Sequence, residues 1–100
     1  MLANREPAFV WIENSVRYRL SSHAQEEIEH RKIPQEWVES VLEKPDQVVL
    51  ERGVLKAYQS KRDIDGKMSL LRVIVDDRKE PAVVVTVYKT RKIEKYWKNP

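Results

Sequence analysis

Two runs of β-branched residues separated by a short charged connection constrain this chain more than any other feature. Residues 70–75 (LLRVIV) and 82–88 (AVVVTVY) flank a connection at 76–81 that contains a proline. Branched side chains fit a pleated, half-buried surface, so the pair predicts an antiparallel hairpin at the centre of a sheet. Side chains alternate between faces along a strand. Leu71, Val73 and Val75 then share one face, and Val83, Val85 and Val87 share one face of the next strand, both looking into a single core. The second face carries Leu70, Arg72 and Ile74 on one strand and Val84, Thr86 and Tyr88 on the other. An arginine, a hydroxyl and a phenol among aliphatic residues mark that face as more than a solvated surface.

The elements around the hairpin follow from periodicity. Residues 1–15 read as an irregular N-terminal extension whose Phe9, Val10, Trp11 and Ile12 are too apolar to stand free, and so are expected to pack over a sheet face. Residues 16–20 alternate, with Val16, Tyr18 and Leu20 one way and Arg17 and Arg19 the other, which predicts a short strand. Ser22 with Gln25 fits a capping box opening a helix, with Ala24 and Ile28 as its buried stripe. A second helix opens at Pro34 and buries Trp37, Val38, Val41 and Leu42; Lys44-Pro45 ends it. Ile33 sits in the corner between the two.

Strands at 47–51 and 54–62 meet at Arg52-Gly53. Leu55 and Ala57 are expected to face the core, leaving Lys56, Tyr58, Ser60 and Arg62 on the opposite side. Asp63-Ile64-Asp65-Gly66 has the look of a calcium-loop fragment, but the downstream glutamate is missing and a strand follows, so it reads as a hairpin turn. Residues 90–99 read as a basic amphipathic helix with Ile93, Tyr96 and Trp97 on its apolar side. The expected fold is α+β: one domain over residues 16–100, an antiparallel sheet with two N-terminal helices packed on one face and a short C-terminal helix.

One hundred residues suffice for one modest core. The absence of cysteine removes disulfides and thiolate metal sites, and two glycines cannot form a phosphate-cradling loop. The longest apolar run near the N-terminus, residues 7–12, is too short to span a membrane, so a cytoplasmic protein with no membrane partner is expected. Residues 1–46 hold six Lys/Arg against nine Asp/Glu, and residues 47–100 hold thirteen against seven. That asymmetry suits a polyanionic partner for the basic half, and equally an ordinary solvated surface.

The segments YRLSSHAQEEIEHRKIP, WVESVLEKPDQVV, LLRVIVD and VVVTVYKTRKIEKYW resemble successive blocks of a small bacterial domain family of unknown function, similar to BrnT-type and RelE-like toxins. The resemblance covers about residues 16–97. It implies a RelE-like or barnase-like fold, a cognate antitoxin protein as partner, and metal-independent cleavage of RNA, as mRNA alone or on the ribosome. His23, Ala24, Arg31 and Ile33 match the family's pattern. Glu27 stands where an arginine is expected, and Lys32 replaces a glycine.

Metal-free RNA cleavage needs a base for the 2′-hydroxyl, cations for the phosphorane and an acid for the leaving oxygen. His23, in the first turn of its helix, is a candidate base or acid, and equally a surface histidine. Arg72, between Leu70 and Ile74 on a central strand, must meet an anion, from a ligand or from a carboxylate of the protein itself. Tyr88 is a candidate acid or base-stacking platform, and Thr86 completes the candidate catalytic set. Arg31, Lys56, Tyr58, Lys89, Lys92 and Lys95 are candidate RNA contacts. His23 and His30, seven residues apart with no third ligand, do not make a metal site, so neither metal nor cofactor is expected.

Two functions fit these residues. One is a toxin-like, metal-independent endoribonuclease; the other is a catalytically silent module that uses the same face to hold RNA or a protein. A purely structural domain, its second face covered by residues 9–12 and Trp97, is a third possibility.

Overall fold

The structure, a computed structural model, describes residues 8–12 and 15–99. In chain order it has β1 (Ala8–Ile12), β2 (Ser15–Leu20), α1 (Ser22–His30), α2 (Gln35–Glu43), β3 (Gln47–Arg52), β4 (Leu55–Ile64), β5 (Lys67–Asp76), β6 (Ala82–Thr90) and α3 (Ile93–Tyr96). The strands form a single six-stranded sheet in the order β1-β2-β6-β5-β4-β3. No helix of the described residues is long and apolar enough to cross a membrane.

The predicted hairpin is there. β5 and β6 run antiparallel, with Arg72 opposite Tyr88 and Val73 opposite Val87. Asp65 and Gly66, both with positive φ, close the β4–β5 hairpin in two residues, the left-handed pair that matches strand twist and that glycine adopts without strain. Leu71, Val73 and Val75 face the two long helices and share a core with Ala24, Val38, Val41 and Leu42.

The expectation of an antiparallel sheet behind two N-terminal helices is overturned. The sheet is mixed, because β2 runs parallel to β6, with Leu20 opposite Val84, and two strands precede the helices. Alternation reports which face a side chain takes but carries no information about strand direction or distant partners. Residues 8–12 were expected to be irregular and instead form β1, antiparallel to β2, with Val10 buried in the core. The rest of the predicted N-terminal extension, residues 1–7 and 13–14, lies outside the described residues. Register shifts between Val10 and Trp11, so Arg17 falls out of the ladder rather than standing beside Arg19.

Faces are also reassigned within two strands. Register shifts between Ile74 and Val75: Ile74 meets Thr86, Val75 meets Val84, and Val85 is the extra residue. This bulge puts Val84 with Val87 in the helix-side core and sends Val83 to the other face, against the expected Val83, Val85, Val87 set. On β4 the assignment is reversed. Tyr58 pairs with Val73 and packs against the helix-side core, whereas Ala57 and Gln59 share the face of Arg72. Polar residues serve the helix side because they reach outward: Lys56 bonds Asp77 at 2.6 Å, and Arg62 lies over the Trp37 ring.

Helix ends differ by small steps. Ser21, not Ser22, is the N-cap of α1, its hydroxyl accepting from the Ala24 N–H, while Gln25 donates to the Leu20 carbonyl. Pro34 caps α2 rather than opening it. α1 closes with Lys32 N–H on Glu29 O and Ile33 N–H on Ile28 O, the paired bonds of a Schellman cap. That motif wants a left-handed residue, and Lys32 has φ 53°. The predicted helix over 90–99 is only the single turn Ile93–Tyr96, since so short a segment gains little from helical bonds alone. Beyond it the backbone is extended and folds back on the second sheet face.

Candidate functional site

Arg72 stands at the middle of β5 on the face away from the helices, as its spacing predicts. Its side chain is 2 % exposed. Nε donates to Gln59 Oε1 at 2.8 Å, Nη1 donates to the Tyr88 hydroxyl, and Nη2 lies 2.9 Å from Glu51 Oε1. Gln59 and Tyr88 are its cross-strand neighbours on β4 and β6, so register alone delivers two of its partners. The Tyr96 ring covers the guanidinium at 4.2 Å. A buried charge is tolerable only when paired and fully hydrogen-bonded, and each nitrogen of this guanidinium is met from within the chain. Burial pushes the Tyr88 phenol up, against the opposing pull of Arg72.

Two glutamines fasten the segment that brings Tyr96. Gln59 Nε2 donates to Gln47 Oε1 at 2.9 Å and to the Tyr96 carbonyl at 3.2 Å. Gln47 in turn donates to the Lys98 carbonyl and accepts the Lys98 N–H. An extended backbone needs its polar groups met, and a primary amide offers donor and acceptor together. This seating covers Gln59, which is fully buried. A shallow groove of about 370 Å³, lined by Glu51, Arg72, Lys95, Tyr96 and Lys98 among others, opens beside it.

The predicted residues fall into separate groups. Arg72 and Tyr88 come together, and Arg31 joins them, its guanidinium 6.0 Å from the Tyr88 ring centroid. Lys95 sits 5.2 Å from the Tyr96 ring. Thr86 is half-buried opposite Ile74 on the same face. Lys89 pairs with Leu71 and is exposed, and Lys92 is exposed with its N–H on Thr90 Oγ1. Glu27, in the expected arginine's place, pairs with Arg31.

His23 is apart. α1 lies along the second half of β6, with the Ser21 hydroxyl on Val85 O. His23 is exposed in the first turn and Arg31 follows the last, roughly 12 Å along the axis at 1.5 Å per residue. Among the described residues no hydrogen bond, ion pair or ring contact joins His23 to Arg72, Thr86 or Tyr88, and none gathers three His, Asp or Glu side chains as metal ligands would be gathered.

Lys56 and Tyr58 belong to a different place. The Tyr58 ring meets Tyr18 edge-on at 6.2 Å. Burial, then the hydrogen bond with Tyr58, pushes the Tyr18 phenol well above its ordinary range. With Arg17, Asp77, Lys79 and Glu80 these rings line a depression of about 510 Å³ at the end of the sheet.

Glu51, Gln59, Gln47 and Tyr96 were not foreseen as site residues. One signal was available: an arginine committed to a buried strand face demands acceptors, and Gln59 faces Arg72 once the β4–β5 register is set by the Asp65-Gly66 turn.

No curated protein and no solved structure matches the chain. A family profile described as a domain of unknown function matches residues 20–89, a span that holds His23, Arg31, Gln47, Glu51, Gln59, Arg72 and Tyr88 but ends before Tyr96. The chain therefore belongs to the DUF4258 family.

Proposed function

We propose that this chain acts on RNA as the toxin-like member of a two-protein pair, and that its primary act is binding along the sheet face opposite the helices. The observation that carries this is the alternation of cations and rings on that face. Lys61 lies 4.1 Å from the Trp97 ring, Lys95 lies beside Tyr96 and Arg31 beside Tyr88. Residues 89–98 alone hold five Lys/Arg against one Glu. Cations that track a phosphate backbone, set among aromatic faces that stack bases, are the physical requirements of single-strand binding. The partner that fits is a small acidic protein encoded alongside, able to cover the same cations.

Cleavage is the second reading, and the Arg72–Tyr88 hydrogen bond favours it, since a guanidinium and a phenol are suited to a phosphorane and a proton transfer. With Glu51, Gln59 and Tyr88 on its nitrogens and Tyr96 above it, Arg72 reaches a phosphate only after the Tyr96–Lys98 segment lifts.

Binding of single-stranded RNA across a salt series tests the proposal. Affinity should fall steeply with salt, and Lys92→Gln with Lys95→Gln should lower the slope by roughly two counterions, without altering sequence preference. Salt-independent binding, or none at any salt, would remove RNA as the ligand. For cleavage, wild type, Arg72→Lys and His23→Gln are expressed without a partner protein and cellular RNA is followed. Loss of about 100-fold or more in the variants supports catalysis; intact RNA in all three leaves binding alone.

A further inference from the structure

Phe9 and Trp11 are 37 % and 61 % exposed, the largest aromatic exposures on the described surface. They lie on β1, whose Val10 is fully buried in the helix-side core. Alternation therefore directs both rings onto the opposite face, the one that carries Arg72 and Tyr88. Two residues apart on a strand, they stand roughly 6–7 Å from each other. Arg19 is the cross-strand partner of Phe9 and is itself exposed; its other neighbour in the ladder, Val83, is on the same second face.

We infer that Phe9 and Trp11 form a base-stacking platform for single-stranded RNA, with Arg19 as its phosphate contact. This deepens the RNA-binding reading and rests on it. Large rings left in water on a sheet face are unfavourable unless a ligand covers them. Flat bases suit them, because every base has a π-face and needs no base-specific hydrogen bond. The strand spacing leaves each ring free to take a separate base. Arg19 supplies the charge complementarity that a greasy protein partner would not use. The platform lies before residue 20, outside the family match.

The test uses the full chain with a short oligoadenylate and a blunt RNA duplex of equal length. Phe9→Ser/Trp11→Ser should weaken oligoadenylate binding about tenfold or more, and Trp11→Phe should retain most of it. Duplex, whose bases are already stacked, should bind alike to wild type and the double variant. Independently, in wild type, acrylamide reaches the exposed Trp11 first, and bound oligoadenylate should abolish that quenchable fraction. This readout stands even if the double variant does not fold. If wild type binds oligoadenylate but neither the double variant nor the quenching responds, the platform is refuted while RNA binding stands. If wild type binds no RNA at any salt, both fall. A shift from dimer to monomer in the double variant, with RNA affinity intact, would reassign the face to a second copy of the chain and overturn the inference.

Discussion

Tyr96 lays its ring 4.2 Å from the guanidinium carbon of Arg72, so a residue from the last helical turn closes over one from the centre of the sheet. The charge beneath it is balanced by Glu51, whose side chain is 30 % exposed while that of Arg72 is 2 % exposed. The two partners are therefore unequal. An unpaired Glu51 can turn toward water, but an unpaired Arg72 has nowhere to go.

Glu51→Gln, which keeps the shape and removes the countercharge, should cost about 3 kcal/mol by urea denaturation, because it leaves a cation buried. Adding Arg72→Met should return part of that loss, since an unbranched apolar side chain fills the space without a charge. A strictly additive pair of costs would show that the two side chains are not coupled.

Lys32 occupies the left-handed position of the α1 cap, where a side chain carries a steric penalty of roughly 1–2 kcal/mol that glycine avoids. Part of the gain from Lys32→Gly is offset by the greater freedom of glycine in the unfolded chain. The variant should be more stable by about 0.5–1 kcal/mol. An unchanged or lowered midpoint would contradict the cap assignment.

Tyr18 and Tyr88 should ionise later than an ordinary tyrosine, in both cases chiefly because burial disfavours the phenolate. Their folded pKa values are raised, so the associated stability is fully present below about pH 10 and fades as pH climbs beyond it. Phenolate absorbance should therefore still be rising at a pH above an ordinary tyrosine's range. Tyr58→Phe should bring Tyr18 down without restoring it fully, because the lost hydrogen bond is the smaller cause.

Asp76 accepts from Arg78 through side chain and backbone, and these bonds, the side-chain one foremost, lower its pKa to about 2. A depressed carboxyl contributes stability above its unfolded value, near 3.9, and loses it as pH falls toward 2. Carboxyl-carbon NMR should follow that titration directly. In Arg78→Ala the resonance should move at a higher pH than in wild type but still below an ordinary aspartate's, because the backbone N–H of residue 78 goes on donating to Asp76.

Legibility in the sequence followed the strength of local pattern. Leu71, Val73, Val75 and Arg72 were placed on their proper faces because β5 alternates without interruption. Val85 broke the same logic one strand later, since a bulge adds a residue without leaving a compositional trace in a run of valines. Tyr58 and Ala57 were exchanged because β4 is covered on both sides, by helices on one and by residues 96–98 on the other, so apolarity could not choose between them. The parallel partnership of β2 with β6 was out of reach: nothing near Leu20 names Val84. Of the candidate site, Arg72, Tyr88 and Arg31 were found and do meet, whereas Glu51 and the two glutamines needed the register before they could be seen.

The pairing of β2 with β6 also fixes the order in which a ribosome can make this protein whole. Ser21 and Val85 meet across 64 residues. Until β6 has cleared the exit, β1 and β2 have no strand partner but one another, and a two-stranded ribbon is marginal in water. The hairpins of β3, β4 and β5 are local and can close as they emerge, so the first strands synthesised are among the last secured. A nascent chain halted before β6 would display Phe9 and Trp11 on an unclaimed ribbon, a natural substrate for chaperones.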